Sequence, residues 1–196
     1  MKLILATSNK GKVREIGSIF LGTSIEFTGL DTLTNVPEII EDGITFKDNA
    51  YIKAKTIYDF SGADVMSEDS GLCVDYLNGA PGVFSARFAG PAKTDSDNIE
   101  KVLTLMKDVP EDKRTAQFRS AFCLIIDGIE NFFEGYVKGR IITAPRGSGG
   151  FGYDPIFVPD GYSQTFAEIG DDIKNSISHR AMAFEKLKVF LLNKYI

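Results

Sequence analysis

The stretch Leu3-Ile4-Leu5-Ala6-Thr7-Ser8-Asn9-Lys10-Gly11-Lys12-Val13-Arg14-Glu15-Ile16-Gly17-Ser18-Ile19-Phe20 changes pattern halfway along. Leu3–Thr7 is a short apolar run bounded by polar turn formers, which reads as a buried strand. Val13, Ile16, Ile19 and Phe20 then recur at helical spacing and mark one face of a helix over Val13–Phe20. The loop Ser8–Lys12 therefore runs from a strand end into a helix N-terminus. Free backbone N–H groups and the positive end of the helix dipole favour an anion there. Lys10 and Lys12 are out of place at such an end unless a polyanion binds, because cations are disfavoured there. The alternative is a solvated loop.

Further along, Thr45 and Asp48 form a capping-box pattern. Phe46, Ala50, Ala54, Ile57 and Tyr58 mark the inner face of the helix that follows, with Lys53 and Lys55 off that stripe. Ala63–Ser67 reads as a strand, Glu68-Asp69-Ser70-Gly71 as an acidic corner, and Leu72–Val74 as a second short strand. Asn78–Gly82 is turn chemistry. Thr94 and Asp97 are a second capping box, before apolar positions 99, 102, 103 and 106. Arg114–Ile126 and Ile129–Val137 read as a hairpin about Asp127-Gly128, with Arg140–Ala144 as an extension. Ile156–Val158 is a short strand candidate. The last helix starts near Ser178, with Ala183, Phe184, Leu187, Phe190 and Leu191 inward. Strands and helices alternate early and the middle is antiparallel, so the expected fold is an α/β domain on a mixed sheet.

Composition removes several chemistries. The chain has 196 residues, the size of one domain, and is expected to be a single domain over residues 1–196. One histidine cannot build a His₂ or His₃ zinc site. Cys73 and Cys123 lie far apart with no Cys-x-x-Cys, so neither a zinc ribbon nor a thioredoxin-like pair fits. Two cysteines are no disulfide framework, and a reducing, cytoplasmic home is expected. The net charge of −5 speaks against a duplex nucleic-acid partner. The N-terminal apolar run is shorter than the roughly 7–15 residues of a signal peptide core. No apolar run approaches the about 20 residues that span a bilayer, so no membrane association is expected.

Four constellations carry chemistry. Glu41-Asp42-Gly43 and Glu68-Asp69-Ser70-Gly71 place hard oxygen ligands at element ends, which suits Mg²⁺ held by one or two carboxylates and substrate phosphates; the plain alternative is two solvated turns. The Lys10/Lys12 loop is the second. Gly147, Gly149 and Gly152 satisfy G-x-G-x-x-G literally, but they lead into Tyr153-Asp154-Pro155, which cannot open a dinucleotide-binding helix. No G-x-x-x-x-G-K-[ST] occurs. What remains there is Phe151, Tyr153 and Asp154, stacking faces beside a hydrogen-bonding acid. This suits a nucleobase or a hairpin aromatic packed on the core. Ser178-His179-Arg180, shortly after Lys174, is the fourth. A lone histidine is more often structural, and no G-x-S-x-G motif accompanies it. Together these parts read as a nucleotide site with Mg²⁺.

Thr7–Lys12, Glu68–Leu72, Gly79–Gly82, Gly149–Pro155 and Ile177–Arg180, in this order, closely resemble the noncanonical purine nucleoside triphosphate pyrophosphatases, the inosine triphosphatase (Ham1-like) family. The resemblance runs from the first strand to the last helix. It implies an α/β fold of two lobes around a long mixed β-sheet with flanking helices, and a nucleotide cleft between the lobes. It also implies hydrolysis of ITP, dITP and XTP to the monophosphate and pyrophosphate, with Mg²⁺, by a homodimer. Thr7, Ser8, Asn9, Lys10, Gly11 and Lys12 would hold the triphosphate. Glu41 and Asp69 would serve the metal, with Asp69 also the proton acceptor. Lys53 and Ser70 would touch phosphate or sugar. Phe151, Gly152, Tyr153, Asp154, Lys174, His179 and Arg180 would hold and read the base, with donors such as the Arg180 guanidinium meeting a 6-keto oxygen. The nearest rival is a related house-cleaning pyrophosphatase for modified pyrimidine triphosphates. A nucleotide sensor without turnover would have no need of a general base.

Overall fold

The computed structural model describes residues 1–91 and 94–195. Its elements in chain order are β1 (Lys2–Leu5), α1 (Lys10–Ile19), β2 (Glu26–Gly29), α2 (Phe46–Ser61), β3 (Val65–Val74), α3 (Asp95–Leu105), β4 (Thr115–Ile126), β5 (Ile129–Ile141), β6 (Phe157–Pro159), α4 (Asp171–Ile177) and α5 (His179–Tyr195). The sheet has six strands in the order β2-β1-β3-β4-β5-β6. β1 pairs in parallel with β2 and β3, and β5 pairs antiparallel with β6. The fold is therefore α/β on a mixed sheet flanked by helices. No helix among the described residues is long and apolar enough to cross a membrane.

The chain makes two compact units. The first comprises Met1–Asp69, Ser120–Gly135 and the chain from Arg180 onward. Successive strand side chains face opposite sides of a sheet, and the first unit uses both. Leu3, Leu5, Met66, Phe122 and Leu124 pack with Ile16 and Phe20 of α1 and with Phe184 and Leu187 of α5. Ile4, Ala6, Val65, Ala121 and Cys123 pack on the other side with Ala50, Ala54 and Ile57 of α2. Burial pushes the Cys123 thiol up to about 12, which keeps it an inert core group. The second unit comprises Ser70–Arg119 and Tyr136–His179. Its core joins Leu72, Val74, Phe118 and Phe157 to Ile99, Val102 and Met106 on and just after α3.

Both capping boxes form. Thr45 and Asp48 close the start of α2, and Thr94 and Asp97 close the start of α3. The hairpin turns at Asp127-Gly128, between β4 and β5. Two expectations need correction. Glu68-Asp69-Ser70-Gly71 is not a corner between two short strands: β3 runs unbroken through it. Nor does Lys53 lie off the inner face of α2, because it is buried with Asn49, Ala50, Ala54 and Ile57. One cause explains both. Buried charges persist when paired, and the acids of β3 and the cation of α2 compensate each other. β2 and α4 are further elements that the apolar pattern did not announce; β2 has no fully buried residue to signal it.

Gly139 of β5 stands opposite Pro159 of β6. A Cβ there would meet the Val158 carbonyl oxygen at 2.2 Å and Pro159 Cα at 2.9 Å. The Phe157 ring lies at 2.8 Å as well, and because the other two obstacles are backbone, Gly139→Ala must part the two strands. It is expected to lower unfolding stability by about 1–3 kcal/mol, read from a urea melt; an unchanged midpoint would contradict this pairing.

Candidate active site

The loop after β1 caps α1 with its own side chains. Asn9 is the N-cap of α1, and its side-chain oxygen accepts from Lys12 N at 3.1 Å. Thr7 Oγ1 accepts from Asn9 N at 3.2 Å. Lys10, Gly11 and Lys12 form the first turn of α1, which contains no acid. Ser8, Asn9 and Lys10 are exposed. The structure thus gathers Thr7 to Lys12 at one helix start, where the dipole favours an anion.

Lys12 points inward, to the acids of β3. Glu68 is fully buried and Asp69 is 8% exposed. As neighbours in a strand they face opposite sides of the sheet, and their partners come from different helices except for Lys12, which reaches both. Glu68 lies on the side of α1 and α5. Its Oε2 pairs with Lys12 Nζ at 2.9 Å, and its Oε1 accepts from Arg180 Nε at 3.1 Å. Ser120 of β4, on the same side as Phe122, donates to Oε1 at 2.8 Å. Asp69 lies on the side of α2. Its Oδ1 accepts from Lys53 Nζ at 3.2 Å and its Oδ2 from Asn49 Nδ2 at 3.3 Å. Lys12 Nζ reaches both acids, lying 3.5 Å from Asp69 Oδ1.

Lys53 also donates to Glu41 Oε2 at 2.5 Å. Its ammonium therefore holds Glu41 and Asp69 about one positive charge. Burial alone would push the Lys53 pKa down, but Asp69 and Glu41 outweigh that and it ends raised, so the side chain is cationic at neutral pH. Glu41 keeps about a third of its side chain exposed (34%). No group of three or more histidine, cysteine, aspartate or glutamate side chains is close enough to cage a metal among the described residues. Asp69, buried, and Glu41, partly exposed, are the hard oxygen ligands this side of the sheet offers to a cation.

The aromatic-acid residues gather in the second unit. Asp154 is buried, and its Oδ2 accepts from Lys174 Nζ at 2.6 Å and from Phe151 N at 2.8 Å. Lys174 Nζ lies 4.9 Å from the centre of the Phe151 ring, within cation–π range. Gly150 has φ +72°, and a Cβ there would meet Asp154 Oδ2 at 2.0 Å, so only glycine lets the carboxylate reach the Phe151 amide. Asp95 of α3 accepts from Gly152 N at 2.7 Å. Tyr153 gives its hydroxyl to the Ser85 carbonyl at 2.8 Å, and burial pushes its pKa up. His179 is buried and stacks on Phe118 with centroids 4.9 Å apart and planes 11° apart. After Gly152 comes a short 3-10 turn and β6, not a helix, so the glycine run is no dinucleotide fingerprint.

Arg180 belongs to the first unit. Nη1 donates to Glu15 Oε2 at 2.7 Å and Nε to Glu68. Ser70 follows Asp69 in β3 and is half-buried. Asn49, Glu15, Ser120 and Asp95 complete these arrangements, and none stood out in the sequence. Asn49 alone carried a signal, being a polar residue one turn before Lys53 on an otherwise apolar stripe.

The chain matches the model of the Ham1 family over residues 3–190. A relative from Desulforamulus reducens, named dITP/XTP pyrophosphatase, is 45% identical over 197 residues, covering 100% of this chain and 98% of its own. One of the same name from Bacillus licheniformis is 46% identical, covering 97% of each chain. Among solved structures, the Staphylococcus aureus Ham1 protein superposes with a TM-score of 0.89 at 35% identity, covering 99% of this chain and 100% of its own. With the profile matched from first strand to last helix, and the fold matched as fully, the chain belongs to the Ham1 family.

Proposed function

We propose that the protein hydrolyses noncanonical purine nucleoside triphosphates (ITP, dITP and XTP) to the monophosphate and pyrophosphate, removing them from the nucleotide pool. The observation that carries this reading is the buried Glu68–Asp69 pair of β3 with Lys12 and Lys53 upon it. It sits beside a helix start suited to phosphates, in a chain whose relatives are named dITP/XTP pyrophosphatase.

Phosphoryl chemistry asks a protein mainly for positioning and charge neutralisation. Thr7, Ser8, Asn9, Lys10, Gly11 and Lys12 hold the triphosphate, with amides of the α1 start facing its oxygens. Lys12 and Lys53 offset charge on the departing pyrophosphate. Ser70 contacts phosphate or sugar. Glu41 and Asp69 would hold Mg²⁺, which when bound polarises the phosphate oxygens. Asp69 accepts the proton of the water that attacks the α-phosphorus; Asn49 and Lys53 fix its carboxylate for that task. The P–O bond to the β-phosphate breaks as the new P–O bond forms, and the pyrophosphate leaves.

The base is the business of Phe151, Gly152, Tyr153, Asp154, Lys174 and His179. Phe151 offers a ring face, and the Asp154–Lys174 pair fixes the loop that carries it. Arg180, adjoining His179 in the chain, anchors the start of α5 through Glu15 and Glu68. Selection of a 6-keto over a 6-amino purine would need a hydrogen-bond donor of the protein turned to the 6-position, which a 6-amino group would leave unpaired. Residues 1–196 are proposed to act as one domain, each unit being woven from separate stretches of chain. Family resemblance supports a homodimer, and cysteine use supports a cytoplasmic home.

Two measurements test this. Asp69→Asn is expected to lower kcat about 10²–10⁴-fold while circular dichroism reports a folded chain; near wild-type turnover would remove Asp69 from the chemistry. In steady-state kinetics, kcat/KM for ITP and XTP is expected to exceed that for ATP by about 10⁴-fold. Equal values for ITP and ATP would refute base reading by hydrogen bonds.

A further inference from the structure

We propose that Glu15 is a positioning residue of the hydrolytic centre. It acts through Arg180 and Glu68 to set where Lys12 and the N-terminal amides of α1 point. The inference rests on the assignment of Lys12 and Asp69 made above.

Glu15 is buried (6% exposed) on α1, one turn beyond Lys12. Residues three apart on a helix share a face. Its Oε2 accepts from Arg180 Nη1 at 2.7 Å, Arg180 Nε donates to Glu68 Oε1 at 3.1 Å, and Glu68 Oε2 pairs with Lys12 Nζ at 2.9 Å. These contacts close a ring: Lys12 to Glu68 of β3, to Arg180 of α5, to Glu15, and back along α1 to Lys12. A helix tied to a strand at one point can still turn about its axis. Tied at two points one turn apart, it cannot. The ring therefore adds to the apolar packing of Ile16 and Phe20 in setting the rotation of α1, and with it the direction of the helix start and the 3.5 Å approach of Lys12 to Asp69.

The division of labour at Glu68 supports this. Its Oε1 takes Arg180 and Ser120, and its Oε2 takes Lys12. Glu15 shares the charge of Arg180, so the guanidinium does not draw Glu68 away from Lys12. Apolar side chains would fill the same space at lower desolvation cost. Three buried charged groups, with the half-buried Lys12, are explained by the geometry they impose.

The test is steady-state kinetics with ITP and Mg²⁺ on Glu15→Gln, Glu15→Asp, Ser120→Ala and the Glu15→Gln/Ser120→Ala pair, beside Asp69→Asn. Outer groups that orient reacting ones typically carry 10–100-fold in activity, so Glu15→Gln is expected to lower kcat about tenfold or more with KM within about twofold. Glu15→Asp keeps the charge and should regain part of the loss. Ser120→Ala should lower kcat in the same direction, and the pair should lose less than the product of the single losses, because both act through Glu68. Wild-type kcat in Glu15→Gln, a change confined to KM, or strictly multiplicative losses would overturn the proposal. If Glu15→Gln does not fold, Glu15→Asp decides, and wild-type kcat there overturns it. Full turnover in Asp69→Asn would instead overturn the assignment of the hydrolytic centre itself. An inactive Asp69→Asn beside a fully active Glu15→Gln removes only the positioning role.

Discussion

Glu68 and Asp69 are neighbours in one buried strand, and the first unit is organised around neutralising them. A strand sends successive side chains to opposite faces, so the two acids draw on cations from different helices, with Lys12 reaching both. Lys12 and Arg180, from the two helices on one face, meet Glu68; Lys53, from the helix on the other, meets Asp69. Each helix of this unit thus contributes both apolar side chains to a core and a cation to the acids. Isolated, each buried carboxylate would cost several kcal/mol. Paired in this way, the two hold fixed charge beside the start of α1, where the proposed function puts the phosphates.

Much of this was legible in the chain itself. The strand-to-helix switch at Leu3–Phe20, both capping boxes and the Asp127-Gly128 hairpin follow from short-range rules, and all are present. The acidic run misled for a physical reason. Glu, Asp, Ser and Gly are poor strand formers, and local reading turned Glu68–Gly71 into a corner. Only the distant partners Lys12, Lys53 and Arg180 make an unbroken strand possible there. Lys53 misled in the same way, since its burial depends on Glu41 and Asp69. Glu15 and Ser120 were invisible because their partners lie far off in sequence, and no local pattern announces such a pair.

The proposed function gives the two units different tasks. The first unit presents cations, amides and carboxylates, the chemistry of phosphates. The second holds Phe151, Asp154, Lys174 and His179, the chemistry of a planar base. On this account catalysis and selectivity reside on different parts of the chain. Changes at Asp154 or Lys174 should alter which triphosphate is chosen more than how its bond is cut, while the ring through Glu15 acts on cutting alone.

The central claim is that the Asp69 centre directs water to the α-phosphorus. Hydrolysis of ITP in water enriched in heavy oxygen, followed by mass spectrometry of both products, tests it directly. The account predicts the heavy atom in the inosine monophosphate, with unlabelled pyrophosphate as the other product. Heavy oxygen in the pyrophosphate, or release of orthophosphate in its place, would contradict it.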